Sequence, residues 1–394
     1  MTDMSRTDPP RRAQAATTIP PADHGAQTPW FENERDRSTV IEAVARATPD
    51  ESLTIEVTTK CNLDCPYCFA LARLPEKFGL SFDTARAVVS EGRACGYRHL
   101  HLSGGEPTLW KPFVDLVDHA FAEGYESVFF NPNGMLFSER LFERLQAHSG
   151  KIACTVSLNG PRDIHEASRG AKTYDATIRG IQQAIQHGLE VEIFTTVHRP
   201  LLAVMPEFSR DLFARFPEVS RLTLIQLHRV ENDFYDVSAD LLSPREFVQL
   251  VRFAGLLALM YPIRFLDNPL AGVLAARMGL DWVWSTPLIR PGRIAVHHNG
   301  DITPAHSNRA AFGRYAAGRL REIHASPEYF AAVAADDDAC GDCQFIADCR
   351  RGGLVRPSEA HRDMYAEVPF CVRANHAVDA IGQPGPAPAS GRPN

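Results

Sequence analysis

Three cysteines have the spacing of metal ligands. Cys61, Cys65 and Cys68 lie on one short loop that follows a strand-like apolar run at 53–58. Cuboidal iron–sulfur clusters normally take four thiolates, so three thiolates on one loop leave one iron open to a substrate or cofactor. An open metal position is typical of a catalytic centre. The same residues also allow a structural zinc site with a distant fourth ligand.

A glycine-rich turn follows the second predicted strand. Gly104 and Gly105 lack side chains, so the backbone there can approach a ligand closely. Glu106 could accept a hydrogen bond from an ammonium group. A Gly-Gly-Glu turn is more often an ordinary loop, but its position after a strand favours a role in binding.

The chain is large enough for one catalytic domain and a smaller second one. It has 394 residues, of which 44% are hydrophobic, as in ordinary soluble proteins. Its formal charge of -7 comes without a long basic block, which argues against a nucleic-acid partner. We expect no signal peptide and no membrane-spanning run, and nine cysteines suited to metal binding in a reducing cytoplasm.

The middle of the chain predicts an α/β fold. Short apolar strands alternate with amphipathic helices, as in a parallel partial (β/α)6 TIM-type barrel. Each candidate site residue then follows a strand, where parallel barrels place their active sites. Strands are predicted at 53–57, 99–102, 127–131, 152–157, 191–196 and 222–227, and helices at 82–95, 110–123, 138–147, 174–188 and 204–216. The predicted domains are a disordered leader at 1–36, the barrel at 45–235, a helical connector at 236–283, a small second domain at 284–375 and a disordered tail at 376–394.

The cysteine loop and the turn Ser103-Gly-Gly-Glu-Pro107 together resemble the radical S-adenosylmethionine (radical SAM) superfamily. The resemblance implies a [4Fe-4S] cluster on the three loop cysteines, with the amino and carboxylate groups of SAM on the open iron. It also implies that the Gly-Gly-Glu segment holds the SAM amino group. Tyr67 would lie against the adenine, and packing within the cysteine loop is its alternative role.

The same resemblance implies three further contacts to SAM. Asn133 and Gly134 together are primarily a turn signal, and the match of Asn133 to the family is the second interpretation. Ser157 would touch the ribose or the carboxylate of SAM, and Arg169 would touch the carboxylate. A surface arginine without a ligand is the alternative for Arg169.

Four C-terminal cysteines supply a complete thiolate set. Cys340, Cys343, Cys349 and Cys371 could hold a closed four-iron cluster or a zinc ion, and spacing alone does not choose between them. Their arrangement resembles the second auxiliary cluster of the SPASM extension, which peptide maturases such as the anaerobic sulfatase-maturing enzymes carry. Cysteines for the first auxiliary cluster are missing, and Ala305 stands at one of the required positions. We therefore expect a small SPASM-like C-terminal domain and two [4Fe-4S] clusters in the chain.

The residue after this missing ligand is a candidate proton acceptor. In the sulfatase-maturing relatives an acidic general base occupies the position, and here it is His306. A histidine can take a proton near neutral pH, and a polar loop histidine is the alternative. In the preceding strand-like stretch, alternating exposure predicts that at most one of His297 and His298 faces a site.

The resemblance implies an enzyme that reductively cleaves SAM and abstracts hydrogen from a C–H bond with a 5′-deoxyadenosyl radical. The expected substrate is a ribosomal peptide or protein, which would be oxidised, crosslinked or epimerised. The expected partners are an electron donor such as flavodoxin or ferredoxin and a separate leader-peptide-binding protein. One alternative is a dehydrogenase or epimerase of a small amino-sugar or amino-acid natural product, and another is a non-catalytic iron–sulfur or zinc protein.

Overall fold

The computed structural model describes residues 51–68, 78–227, 236–266, 269–280, 282–283, 285–286, 291–306 and 311–329. Within these residues the strands belong to a single sheet. The predicted leader at 1–36, the tail at 376–394 and the four C-terminal cysteines, Cys340, Cys343, Cys349 and Cys371, lie outside the described residues.

A run of eight parallel strands forms the framework of the fold. The strands follow one another in space in the order of the sequence, and each pairs in parallel with the next. Parallel neighbours need a long crossover connection, which most of the intervening helices provide. The strands are β1 (Ser52–Glu56), β2 (His99–Ser103), β3 (Ser127–Phe130), β4 (Ile152–Ser157), β5 (Glu190–Val197), β6 (Arg221–Gln226), β7 (Ile263–Leu266) and β8 (Ser285–Thr286).

Three more strands extend the sheet beyond β1. The strand β9 (Ile294–Val296) pairs in parallel with the other edge of β1, and β10 (Asp301–Thr303) and β11 (Gly313–Arg314) follow it in antiparallel pairing. The order is β11-β10-β9-β1-β2-β3-β4-β5-β6-β7-β8. Because this order has two ends, the sheet formed by the described residues is an open, partial barrel. The predicted α/β fold is confirmed.

Several helices begin where the sequence offers a capping side chain. Ser81, Ser138 and Ser243 each accept a hydrogen bond from a backbone N–H in the first turn of the helix that follows. Gly96 and Gly188 each lie two positions beyond the last residue of a helix and have positive φ angles of 100° and 75°. The helices are α1 (Phe82–Ala94), α2 (Phe113–Ala122), α3 (Glu139–Leu145), α4 (Arg162–Arg169), α5 (Tyr174–Gln186), α6 (Arg199–Leu202), α7 (Met205–Arg215), α8 (Pro244–Ala258), α9 (Pro269–Arg277) and α10 (Arg319–His324).

Several elements differ from the sequence-based expectation. The segment 236–283, expected to be a helical connector, contains β7 and so contributes to the parallel sheet. The start of the expected second domain supplies β9, which pairs with β1. Strand β7 lies inside a stretch whose sequence pattern is helical, and β9 has only three residues, so neither strand stands out from the sequence around it. Helix α4 has no counterpart among the predicted helices.

Alternate side chains of the strands face two different environments. On β1, Ile55 joins the apolar core that the helices cover, while Thr54 and Glu56 are buried on the opposite face. On this inner face Glu192 and Arg264 form a buried ion pair with an N–O distance of 2.8 Å. Buried polar groups are stable when they are hydrogen-bonded, so the inner face is a paired polar lining.

Helix α5 packs directly on the turn that follows β3. A Cβ atom added to Gly180 in α5 would lie 1.8 Å from the carbonyl oxygen of Gly134. Gly134 has a φ of 78°, which glycine adopts readily. The contact fixes the turn that carries Asn133.

We expect Gly180→Ala to lower the melting temperature, because forcing a methyl group into a packed contact costs about 1–3 kcal/mol. The matched control is Gly272→Ala in α9, where nothing lies within 4 Å of an added Cβ. That control should gain about 0.5–1 kcal/mol of helix propensity. Calorimetric melting of both variants measures the difference, and a Gly180→Ala protein as stable as the control would contradict the close packing.

Candidate active site

The cysteine loop leaves the barrel at the carboxyl end of β1 and is closed at its base. Thr58 forms an antiparallel bridge with Gly79 on the returning chain. Thr59 N donates a hydrogen bond to the carbonyl of Phe78 over 2.9 Å. The two sides of the loop are therefore joined before the first cysteine.

The three thiols lie on the loop above this base. Cys65 is buried, and Cys61 and Cys68 are half-buried. Leu63 N donates to Cys61 Sγ over 3.4 Å, and Cys68 N donates to the Cys65 carbonyl over 3.2 Å. Burial raises the pKa of the Cys61 thiol to about 11. A metal that binds here must therefore displace the thiol proton.

The donor set fits a cluster better than a single ion. Among the described residues, no group of three or more His, Cys, Asp or Glu side chains could hold one metal ion. A zinc site needs its thiolates about 2.3 Å from one common point. In a cuboidal cluster each thiolate ligates a different iron, so the three sulfurs need no common centre.

The Gly-Gly-Glu turn lies against the cysteine loop. Gly105 N donates to the Thr58 carbonyl and Glu106 N donates to the Lys60 carbonyl, both over 2.7 Å. A Cβ added to Gly105 would lie 2.4 Å from the Lys60 oxygen, and one added to Gly104 would lie 2.5 Å from the Thr58 oxygen. The glycines are thus needed for the close approach of two loops of the chain itself. Their approach to a ligand stays a prediction.

The Glu106 carboxylate is 1% exposed and is held from two sides. Its Oε1 accepts hydrogen bonds from Thr108 N over 3.2 Å and Thr108 Oγ1 over 2.5 Å, and its Oε2 accepts one from Asn133 N over 2.7 Å. Burial raises the pKa of Glu106, and these hydrogen bonds oppose that shift. A carboxylate has about four lone-pair positions, so one remains for a ligand ammonium group.

Asn133 connects the turn after β3 to the cysteine loop. Its Nδ2 donates to Asn62 Oδ1 over 2.7 Å, and its Oδ1 accepts from Met135 N over 2.9 Å. The turn expected at Asn133-Gly134 is present, with Gly134 at positive φ. Because Asn62 directly follows Cys61, Asn133 helps to fix the start of the loop.

The Tyr67 hydroxyl connects the cysteine loop to the segment after β4. Asn159 Nδ2 donates a short hydrogen bond to it, and Arg169 Nη1 donates one over 3.2 Å. Burial raises the pKa of Tyr67, so the hydroxyl keeps its proton at neutral pH. Arg169 Nε is buried and has no hydrogen-bond partner among the described residues. A buried guanidinium N–H without a partner fits a ligand carboxylate, such as that of SAM.

Ser157 is the last residue of β4, two positions before Asn159. Its backbone N donates to the Pro132 carbonyl over 3.3 Å, and its side chain is half-buried. The structure thus places Ser157 at the same edge of the sheet as the residues that follow β1, β2 and β3.

Glu56, at the end of β1, is bound by two consecutive histidines. Its Oε2 lies 3.2 Å from His297 Nδ1, and its Oε1 forms a short contact with His298 Nδ1. Both histidines reach one carboxylate because β9 ends at Val296 and the chain then turns. The alternating exposure expected for these two histidines is therefore absent, since both contact the same buried carboxylate.

His297 makes a second hydrogen bond through the other nitrogen of its ring. His297 Nε2 lies 2.8 Å from Thr303 Oγ1, which donates to the Ala305 carbonyl over 2.7 Å. Since a hydroxyl has a single proton, His297 Nε2 must be the donor to Thr303. The ring of His297 is thus held between Thr303 and Glu56.

His306 follows β10 and is 7% exposed. Its ring meets the ring of His101 edge-on, with 5.3 Å between the centroids. Burial, together with the nearby positive charges of His101 and Arg293, lowers the pKa of His306 well below its usual value, while Glu56 opposes the shift. His306 is therefore a neutral proton acceptor at physiological pH, inside the polar lining of the barrel.

Three residues of this site were not predicted from the sequence. Glu56, Asn62 and Asn159 are polar residues at or just beyond the carboxyl ends of buried strands, or directly beside a motif cysteine. A polar side chain at the end of a strand is the signal that could have selected Glu56 and Asn159, because parallel barrels carry their sites there.

Comparisons with known proteins agree with this geometry. Residues 55–202 match the model of the Radical SAM superfamily. The AdoMet-dependent heme synthase of Nitratidesulfovibrio vulgaris is 25% identical over 341 residues, which cover 80% of this chain and 90% of that protein. The mycofactocin maturase MftC of Mycobacterium tuberculosis is 29% identical over 191 residues, which cover 48% of this chain and 47% of that protein. The chain therefore spans about half the length of that maturase.

Solved structures share the fold. The structure of native anSMEcpe with bound AdoMet and Kp18Cys peptide has a TM-score of 0.60 at 19% identity, covering 84% of this chain and 98% of that one. Streptococcus suis SuiB bound to S-adenosylmethionine has a TM-score of 0.58 at 14% identity, covering 79% of this chain and 73% of that one. The chain thus carries a radical SAM domain over residues 55–202.

Proposed function

We propose that this enzyme modifies a C–H bond of a peptide, as in the maturation of a ribosomal peptide or protein by oxidation, crosslinking or epimerisation. The observation that carries the proposal is the buried network that joins the cysteine loop to Glu106 and Arg169. Support for a peptide comes from the maturase among the relatives and from the peptide bound in anSMEcpe.

The proposed cofactor contacts follow from the donors that the site presents. Cys61, Cys65 and Cys68 ligate three irons of a [4Fe-4S] cluster. Arg169 binds the carboxylate of SAM through its buried Nε–H, Ser157 adds a hydroxyl, and Glu106 accepts hydrogen bonds from the ammonium group. With one electron from an external donor, the cluster and SAM would supply methionine and a 5′-deoxyadenosyl radical, which would abstract hydrogen from the substrate.

The loops around these groups shape the rest of the proposed SAM site. Gly104 and Gly105 allow the turn after β2 to lie against the cysteine loop. Asn133 donates hydrogen bonds to Glu106 and to Asn62 at the start of the cysteine loop, and Tyr67 lies near the last cysteine of that loop. These residues exclude water from the site and fix the spacing between the thiols and Arg169.

His306 is the proposed general base. Burial keeps its ring neutral, and because the same burial makes it a weaker base than an exposed histidine, it needs a nearby negative charge to accept a proton from the substrate. The negative charge of Glu56 lowers the cost of the imidazolium that forms. A neutral polar histidine without a catalytic role is the alternative.

A second [4Fe-4S] cluster on Cys340, Cys343, Cys349 and Cys371 is part of the proposal, because their spacing matches a complete thiolate set. The proposed partners are an electron donor such as flavodoxin or ferredoxin and a separate leader-peptide-binding protein, in the cytoplasm. None of the helices in the described part of the chain combines the length and the apolar character needed to cross a membrane.

An iron porphyrin is the second candidate substrate. The heme synthase relative aligns over 80% of this chain, against 48% for the mycofactocin maturase. A small amino-sugar or amino-acid natural product remains the third. The three classes differ in what should stimulate SAM cleavage.

We expect peptides encoded beside the gene to increase the rate of 5′-deoxyadenosine formation about tenfold or more over the uncoupled rate, since substrate positioning accelerates the chemical step. The enzyme is incubated anaerobically with SAM, dithionite and either peptide or iron coproporphyrin, and mass spectrometry follows the products. Stimulation and mass change with the porphyrin alone would replace the peptide by the second candidate.

Replacing Cys61, Cys65 and Cys68 together with alanine should reduce the iron content from about eight to about four per chain, because each cluster holds four irons. Formation of 5′-deoxyadenosine should stop. The control is Cys95→Ala, which removes a half-buried thiol outside both ligand sets and should leave iron and SAM cleavage unchanged. A triple variant that still cleaves SAM would show that the cluster is held elsewhere.

Replacing His306 with alanine should lower product formation about a hundredfold, the usual contribution of a general base, while 5′-deoxyadenosine still forms. His306→Gln keeps a hydrogen-bonding side chain but takes no proton near neutral pH, so it should be almost as impaired. Product yields near those of the unmodified enzyme in both variants would assign His306 a structural role. Loss of iron in either variant would instead make the imidazole a metal ligand.

A further inference from the structure

Asn159 is the centre of a buried hydrogen-bond network, and the function proposed above gives this residue no role. The residue is 0% exposed. Its Oδ1 accepts a hydrogen bond from Thr196 N in β5 over 3.0 Å. Its Nδ2 donates to Ser168 Oγ in α4 over 3.1 Å and to the hydroxyl of Tyr67. One side chain therefore connects β5, α4 and the cysteine loop.

The main chain of Asn159 is fixed as well. Asn159 N donates to His165 Nδ1 over 3.1 Å. Burial lowers the pKa of His165 to about 3, so its ring is neutral and Nδ1 stays an acceptor. The ring is held edge-on by Tyr174, at a centroid distance of 5.8 Å. Asn159 thus has little freedom to move, and its amide is directed at Tyr67.

Tyr67 transmits this constraint to the cysteine loop and to Arg169. It stands between Cys65 and Cys68, and its hydroxyl accepts hydrogen bonds from both Asn159 and Arg169. A hydroxyl oxygen has two lone pairs, and both are used here. The tyrosine oxygen therefore sets the distance between the cysteine loop and the guanidinium.

We infer that Asn159 is a positioning residue for SAM binding, which acts through the Tyr67 hydroxyl to align Arg169 with the cysteine loop. The inference rests on the proposed function, because it assumes that Arg169 binds the SAM carboxylate. It predicts that the hydroxyl of Tyr67 contributes to SAM affinity independently of its ring.

The test compares Tyr67→Phe, Asn159→Ala and the double variant in the full-length, cluster-loaded protein. Equilibrium dialysis with labelled SAM, under anaerobic conditions without reductant, measures Kd before any cleavage. Each single variant should raise Kd about tenfold, which corresponds to one hydrogen bond. The double variant should raise it no further than about tenfold, because both changes remove the same bond. Iron content should equal that of the unmodified protein.

Tyr125→Phe is the matched control. The Tyr125 hydroxyl is buried and donates to the Val89 carbonyl over 3.0 Å; Tyr125 precedes the amino end of β3, whereas the cysteine loop follows the carboxyl end of β1. Its removal costs the fold one comparable hydrogen bond and should leave the Kd for SAM unchanged. If Asn159→Ala yields no folded protein, Tyr67→Phe against this control decides the question alone.

Three results would overturn the inference. A Kd within twofold of the unmodified value in Tyr67→Phe would show that the hydroxyl does not matter for SAM. An equal rise in Tyr125→Phe would reduce the effect to general destabilisation. A double variant whose effect is the product of the single effects would show that the two residues act separately. Failure of the iron-loaded, unmodified protein to bind SAM would be a different outcome, since it would refute the proposed function itself.

Discussion

Two backbone hydrogen bonds between the cysteine loop and the turn after β2 support the rest of the site. They run from Gly105 N and Glu106 N to the carbonyls of Thr58 and Lys60, both over 2.7 Å. The approach is possible because the two glycines have no Cβ. It places Glu106 where it accepts from Asn133, which in turn holds Asn62 beside the first cysteine. Three loops that are distant in sequence are thereby fixed to one another by short contacts.

The polar lining of the barrel explains how histidines and carboxylates coexist in its interior. An unpaired buried charge is costly. On the inner face this cost is reduced, because Glu56 pairs with His297 and His298, and Glu192 pairs with Arg264. Within this low-dielectric region electrostatic effects are stronger than in water. The ring of His306 is therefore sensitive to neighbours that it does not touch.

His306 directly follows Ala305, which stands where the first auxiliary cluster would need a cysteine. A histidine at position 306 gives a different local charge from the one that a carboxylate would give. A neutral imidazole can accept a proton, but unlike a carboxylate it carries no negative charge before it does so. Glu56 supplies a negative charge within electrostatic reach of His306, and its Oε2 lies 3.2 Å from His297 Nδ1. A carboxylate, Glu56, is instead present at the end of β1, which β9 separates from β10 in the sheet. This arrangement keeps a proton acceptor and a carboxylate together near the inner face of the sheet.

The sequence by itself determined the local features of this protein. The loop of Cys61, Cys65 and Cys68, the turn at Gly104 and Gly105, and most strand and helix positions were predictable, because periodicity, capping residues and ligand spacing are properties of neighbouring residues. Strands β7 and β9 were not, since β7 lies inside a stretch whose pattern is helical and the three residues of β9 form a strand only because the edge of β1 is available. Tertiary structure alone decided that Asn159 reaches Tyr67 across 92 positions of sequence and that His297 and His298 both bind Glu56. Such contacts depend on which strand ends become neighbours, and no local pattern in the chain encodes that.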